Sequence, residues 1–296
     1  MSQVLRFGKL NEKIKEEVLE VVRECNQYDG TRSELKIDET INYYDEMATT
    51  FLIYEGETLE SFMHVMAITA NEIEISGYTR PGARGKGHFK ALREAVFNEA
   101  RAFGYTKAVY VIDTSSLEGL GWTKKKMLAY EFTEVTMVLA NPSIKEKINP
   151  GIHCNLMTAK SLTTALEIHE RVFDLEGNAT EKYLTNLLKN PQREFYIFYL
   201  DETPFGLGGI AYEASGAVLF GVGILKDFRG KGYSKQLMQR LMEKIKKKGI
   251  SRILLEVDQD NQVAYEAYKK LGFIDAYAMS YFSEPISRQA PGRGSI

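Results

Sequence analysis

The chain has 296 residues, 44% hydrophobic and 26% charged, with a formal net charge of −2. This is the composition of a folded globular protein long enough for two cores, and it excludes a disordered chain. There is no basic excess and no apolar run near the length of a membrane span, so neither a nucleic-acid nor a membrane partner is expected.

The two cysteines, Cys25 and Cys154, are far apart and lack metal-ligand spacing. A disulfide framework and a metal site are therefore not expected. The start MSQVLRFGKLNEKIKEE has no signal-peptide run, which makes a reducing cytoplasm the expected location.

In chain order, EKIKEEVLEVVREC reads as a helix, and TTFLIYEGETLESFMHVMAIT as two strands around a Glu-Gly turn. NEIEISGY is a further strand, followed by RGKG at Arg84–Gly87. Phe89, Leu92, Val96, Ala100 and Phe103 then fall at helical spacing, Gly104 ends that helix, and KAVYVID reads as a strand. Pro142, Pro150 and Gly151 bracket a polar segment that separates two halves.

The same order then repeats. SLTTALEIHERVF and TEKYLTNLLK read as helices, EFYIFYLDETPFGLGGIAYE as a hairpin and AVLFGVGIL as a strand. A second RGKG follows at Arg229–Gly232. Leu237, Met238, Leu241, Met242 and Ile245 form the next helical stripe, Gly249 ends it, and RILLEVD is a strand. A shared four-residue phrase with matching neighbours on both sides indicates an internal repeat. The halves are drawn as residues 1–144 and 145–285, with a flexible Pro/Gly-rich tail at 286–296. Each half is α+β, with helices flanking a mixed sheet.

A glycine-rich loop opening a helix is a ready anion site, because the first helical amides have no intrahelical partner and the dipole there is positive. No Gly-Lys pair is followed by Ser or Thr, which excludes a P-loop. Gly221 and Gly223 start a dinucleotide fingerprint, but Lys226 stands where its third glycine belongs. The loop instead resembles [RQ]-x-x-G-x-[GA], the pyrophosphate loop of acyl-CoA N-acyltransferases, with Ser234 where that pattern has Gly or Ala. A second motif follows in DNQVAYEAYKKLGF, where Asn261, Ala264, Tyr268, Leu271, Gly272 and Phe273 are spaced as that family spaces them.

On these residues the chain resembles a tandem member of the GNAT superfamily of N-acetyltransferases, most clearly over Gly151 to Phe282 and less so over Leu10 to Ala140. The resemblance implies two GNAT domains, each a mixed, mostly antiparallel sheet flanked by helices. It implies acetyl-CoA as donor substrate, no metal, and a small-molecule or peptide amine as acceptor. Val222, Gly223 and Ile224 would meet the pantetheine arm through their backbone. Arg229, Gly230, Lys231, Gly232, Tyr233 and Ser234 would hold the pyrophosphate, with Asn261 and Ala264 completing the donor site. Tyr268 would protonate the departing thiolate, since a phenol of pKa about 10 keeps its proton at neutral pH. For the general base, Glu256 and an ordered water stand as alternatives, with Glu213 a lesser one. His153 and Cys154, neighbours on an edge strand, face opposite sides and receive no catalytic role. Another acyl or aminoacyl donor, and a non-catalytic CoA-binding regulatory module, are the alternative readings.

The first half departs from the pattern. Phe89 stands where the loop wants a small residue, and TSSLEGLGWTKKKMLAYEF has no Asn-x-x-Ala and no tyrosine at the spacing of Tyr268. Phe89 is expected either to crowd the phosphate position or to turn into the core. This half is expected to keep the scaffold without the chemistry.

Overall fold

The computed structural model describes residues 3–141, 149–173, 178–213 and 215–287. In chain order the elements are β1 (Val4–Phe7), α1 (Glu12–Asp29), β2 (Thr50–Glu55), β3 (Thr58–Met66), β4 (Glu72–Thr79), α2 (His88–Ala102), β5 (Lys107–Asp113), α3 (Leu117–Lys126) and β6 (Ala129–Leu139). They continue as β7 (Ile152–Leu156), α4 (Leu162–Phe173), α5 (Asn178–Lys189), β8 (Arg193–Leu200), β9 (Thr203–Glu213), β10 (Gly216–Ile224), α6 (Tyr233–Lys247), β11 (Ile253–Asp258), α7 (Gln262–Lys270) and β12 (Phe273–Pro285).

The chain forms two compact units. Unit 1 holds Met1–Phe132 with Ala278–Ile296, and unit 2 holds Thr133–Tyr277. These are not the consecutive stretches 1–144 and 145–285, because the last strand of each sequence half pairs elsewhere. In unit 1, Met279–Pro285 of β12 run antiparallel to Asp113–Lys107 of β5. In unit 2, Glu134–Val138 of β6 run antiparallel to Asp258–Leu254 of β11. The main-chain N–H of Ile286 donates to Thr106 O at 2.8 Å and the side chain is buried, so ordered chain continues past 285. The remainder of the expected tail, 288–296, lies outside the described residues.

The sheet of unit 1 has the order β1-β2-β3-β4-β5-β12, with β4 and β5 parallel and the other pairs antiparallel. Alternation along β2 sends Phe51 and Ile53 to one face and Leu52 to the other. Phe51 and Ile53 pack with Leu92, Val96 and Ala100 of α2, while Leu52 packs with Val18, Val21 and Val22 of α1. Helix α1 begins where the Asn11 side chain accepts from Ile14 N at 2.9 Å and stops at Gly30, whose φ is 70°.

Unit 2 repeats the plan in the order β7-β8-β9-β10-β11-β6, with β10 and β11 its parallel pair. Leu237, Met238, Leu241, Met242 and Ile245 of α6 are buried, as their spacing predicts. Each such side chain contributes roughly 1.5–3 kcal/mol of transfer free energy. Gly206 and Gly208 of β9 let this stripe sit close to the sheet: a Cβ on Gly208 would lie 2.8 Å from a Leu241 methyl. On the other face Ala165, Ile168, Leu184 and Leu187 of α4 and α5 pack on Phe195, Ile197 and Leu207. Among the described residues no helix is long and apolar enough to cross a membrane.

Candidate active site

The parallel pairing of β10 with β11 covers Ala217–Leu219 against Ile253–Leu255 and goes no further. A bulge interrupts β10 at this point. Its register with β9 shifts between Phe220 and Gly223, and Gly221 takes φ +56°, a conformation strained for any L side chain. Beyond the bulge β10 and β11 no longer pair, and a cavity of about 210 Å³ lies between them. Gly221 and Val222 line one wall, and Glu256, Val257 and Asp258 the other. Asn261, Ala264 and Tyr268 enter from α7, and Phe173, the last residue of α4, closes a side.

Past the bulge β10 runs into the second RGKG loop. Gly230 and Gly232 have φ of +75° and +76°, and nothing lies within 4 Å of where a Cβ would stand on either. Gly232 caps α6 without any side-chain hydrogen bond, so the first-turn amides stay open to an anion. Arg229 Nε donates to Ile224 O at 2.9 Å, which stiffens the loop against the strand end. Lys231 Nζ donates to Asp227 O at 2.9 Å. Tyr233 opens α6, and its ring packs against Phe205 and Phe228 with centroids 5.6 and 6.4 Å away. Among the expected site residues, Val222, Asn261, Ala264 and Tyr268 thus share one cavity. Gly223, Ile224 and the loop 229–234 follow as the continuation of β10 and do not line it.

Tyr268 packs edge-on to Phe273 at 6.2 Å, and burial pushes its hydroxyl pKa up. It therefore holds its proton at neutral pH. The Asn261 carboxamide accepts from Ala264 N at 3.2 Å and starts α7, so its side chain serves as a helix cap at the cavity edge. Glu256 lines the cavity, whereas Glu213 is exposed at the far end of β9 and does not. His153 and Cys154 lie on β7, the edge strand of unit 2, outside the cavity. No group of His, Cys, Asp and Glu that could hold a metal occurs among the described residues.

Phe173 and Asp258 carry no motif, and the pattern of the sequence did not single them out. Phe173 had one signal, its place at the end of the ALEIHERVF stripe. Asp258 closes the turn after β11 by accepting from Asp260 N at 2.8 Å, as Asp113 does from Ser115 N at 2.8 Å in unit 1.

The first copy is built on the same frame with different details. Arg84 Nε donates to Thr79 O at 3.1 Å, five residues back, as Arg229 does. Strand β4, however, pairs with β3 from Ser61↔Thr79 to Met66↔Glu74 in unbroken register and has no bulge. The Phe89 ring turns into the cleft, where a Cβ on Gly77 would lie 2.9 Å from it, and it meets Trp122 edge-on at 5.0 Å. Counted from the N-cap, Tyr268 stands seven residues after Asn261; seven after Ser116, the cap of α3, stands Thr123. Its hydroxyl is spent on Leu120 O at 2.9 Å.

Every basic side chain of the first loop also has a carboxylate. Asp29 accepts from both Arg84 terminal nitrogens at 2.8 and 2.7 Å, and Glu118 lies 3.0 Å from one of them. Lys86 and His88 both reach Glu55, at 2.9 and 3.3 Å. These bonds raise the pKa of Arg84 and of Lys86 and lower that of Glu55. Arg229 and Lys231 have no carboxylate partner among the described residues.

Residues 162–273 match the acetyltransferase (GNAT) family model. The chain is 28% identical over 121 residues to the [ribosomal protein bS18]-alanine N-acetyltransferase of Haemophilus influenzae, covering 39% of this chain and 82% of that one. It is 30% identical over 99 residues to N-alpha-acetyltransferase 30 of Schizosaccharomyces pombe, covering 31% of this chain and 65% of that relative. In fold it is similar to a tandem GNAT protein from the clavulanic acid biosynthesis pathway, with a TM-score of 0.74 at 10% identity over 98% of this chain and 100% of that one. The chain has the build of two GNAT-like halves, and its match to the GNAT family of acetyltransferases lies in the second, over residues 162–273.

Proposed function

We propose that the chain transfers an acetyl group from acetyl-CoA to a small-molecule or peptide amine in the cleft of unit 2. The observation that carries this reading is the cleft between the parted strands β10 and β11, with the bulge at Gly221 in its wall, an open glycine loop beyond it and the half-buried Tyr268 beside it. Gly230, Lys231, Gly232 and Ser234 offer main-chain amides to the pyrophosphate, with the charge of Arg229 and Lys231 close by. The unpaired edge of β10 at Val222 takes the pantetheine arm as an added strand.

In the reaction the amine nitrogen attacks the thioester carbonyl carbon, and the carbon–oxygen π pair moves onto oxygen. When that pair returns, the carbon–sulfur bond breaks and the electrons leave on sulfur. The Tyr268 hydroxyl gives its proton to the thiolate and recovers one from solvent. A main-chain N–H of the parted strand steadies the oxyanion. The proton lost by nitrogen passes to Glu256, directly or through a water. Both relatives named above act on amines, which agrees with the acceptor class.

The test is thiol release from acetyl-CoA with a panel of amines. Amine-dependent release that falls with Tyr268→Phe is the expected result. Donor binding with no release on any amine would replace the enzyme by a binding module.

A further inference from the structure

Unit 1 has a cavity of its own, about 560 Å³, between the parted ends of β4 and β5. That is within the size range of small-molecule sites, roughly 300–1,000 Å³. It is also larger than the 210 Å³ cavity of unit 2. We propose that this cleft binds one small, uncharged aromatic molecule and does not admit a pyrophosphate-bearing donor.

The charge inventory leads there. Arg84 is paired with Asp29 and Glu118 and Lys86 with Glu55, and His88 Nε2 stands 3.3 Å from the same Glu55 carboxylate. Arg93 is held by Glu284 at 2.9 and 2.5 Å and by the Tyr110 hydroxyl at 2.8 Å. The carboxylate of Asp113, itself buried, accepts from the amides of Arg32, Ser33 and Ser115 at 3.2, 3.1 and 2.8 Å. A phosphate would have to displace a carboxylate to reach Arg84, and the displaced group would lose a two-pronged bond. The other charges at the cleft, Lys90, Glu94 and Lys126, are exposed to water and fix nothing inside.

The α3 and β5 side of the space is apolar, while the loop side holds the main-chain amides that open α2 at Gly87 and the buried His88 Nε2. Trp122 stands edge-on to Phe89 at 5.0 Å and to Tyr110 at 4.8 Å, making an aromatic wall that a further ring can extend. Val111 and Ile112 lie along β5, and Ala83 opens the loop side. Two small polar groups at the cleft are already engaged: Cys25 Sγ donates to Thr79 O at 3.3 Å, and Ser116 Oγ accepts from Gly119 N at 3.1 Å. A ligand rich in hydrogen-bonding groups would leave them unpaired, whereas an aromatic hydrocarbon framework leaves none.

Trp122 is the single tryptophan of the chain, so the site carries its own reporter. The test titrates the uncharged dye N-phenyl-1-naphthylamine into the whole protein while the tryptophan is excited. Saturable energy transfer at one dye per chain is expected, unaffected by saturating CoA. Trp122→Phe keeps the aromatic wall, so dye bound and excited directly should still brighten, while the energy transfer disappears. Val111→Phe fills the space and should weaken dye binding about tenfold or more. Absence of energy transfer in the natural protein would overturn the proposal. So would displacement of the dye by CoA, or unchanged dye affinity in a folded Val111→Phe protein.

Discussion

Arg84 and Asp29 face each other with two parallel hydrogen bonds of 2.8 and 2.7 Å, while Arg229, at the same place in the second copy, has no carboxylate beside it among the described residues. Both arginines fasten their ε-nitrogen to the strand carbonyl five residues back. The frame is shared, and the charge left over for a ligand is not. In the first copy the side chain at the end of α1 occupies the partner position that an anion would take.

From that pair follows a stability effect. Asp29→Ala leaves a guanidinium that is only 22% exposed with the exposed Glu118 as its remaining carboxylate. The expected loss is about 1–3 kcal/mol in urea unfolding. A change within experimental error would mean that the pair contributes nothing net.

Tyr268→Phe removes the proton donor and keeps the ring against Phe273. Donor affinity should stay within about twofold, while turnover falls roughly 10²–10⁴-fold, the usual range for general acid–base groups. Turnover equal to the natural protein would remove Tyr268 from the chemistry.

Gly221→Ala tests the bulge. The substitution puts a Cβ at φ +56° and 2.9 Å from the Phe195 ring. Strain of about 1–3 kcal/mol is expected to drive β10 toward regular pairing and weaken donor binding. Comparison with Gly82→Ala, where nothing lies within 4 Å of the added atom, separates this from a general effect of losing a glycine.

Acid stability offers an independent check of the core. His64 is buried with Nδ1 2.9 Å from Thr50 Oγ1, and burial lowers its pKa from the ordinary 6.5 to about 4. The unfolded chain therefore binds a proton at this residue below pH 6.5 that the folded protein resists until about pH 4. Stability falls as pH drops through that window and is regained above it. The residue accounts for on the order of 3 kcal/mol at the bottom of the window. His64→Gln should show a shallower slope of unfolding free energy between these values; an unchanged slope would place the effect elsewhere.

Much of this was legible from local pattern. Helices α2 and α6 follow from five-residue apolar stripes, and their ends from Gly104 and Gly249, both with positive φ. Tyr268 and Asn261 stand out through the spacing they share with the GNAT family; the structure puts both at one cavity, where the Asn261 side chain also caps α7. The bulge at Gly221 was not legible, because a shift in register is a property of two strands and only one is in view at a time. The pairing of Arg84 with Asp29, and of Lys86 with Glu55, joins residues far apart in sequence. The exchange of β6 and β12 has the same character. Both strands carry ordinary strand composition, and nothing in either says which neighbour it will take. β1 is only four residues long, too short for its alternation to stand out.

Calorimetric titration of acetyl-CoA into the natural protein, Arg84→Ala and Arg229→Ala tests the central claim most directly. One donor per chain is expected, with binding retained in Arg84→Ala and weakened about tenfold or more in Arg229→Ala, as loss of a charge-assisted contact predicts. Two donors per chain, or loss of binding with Arg84→Ala and not with Arg229→Ala, would contradict it.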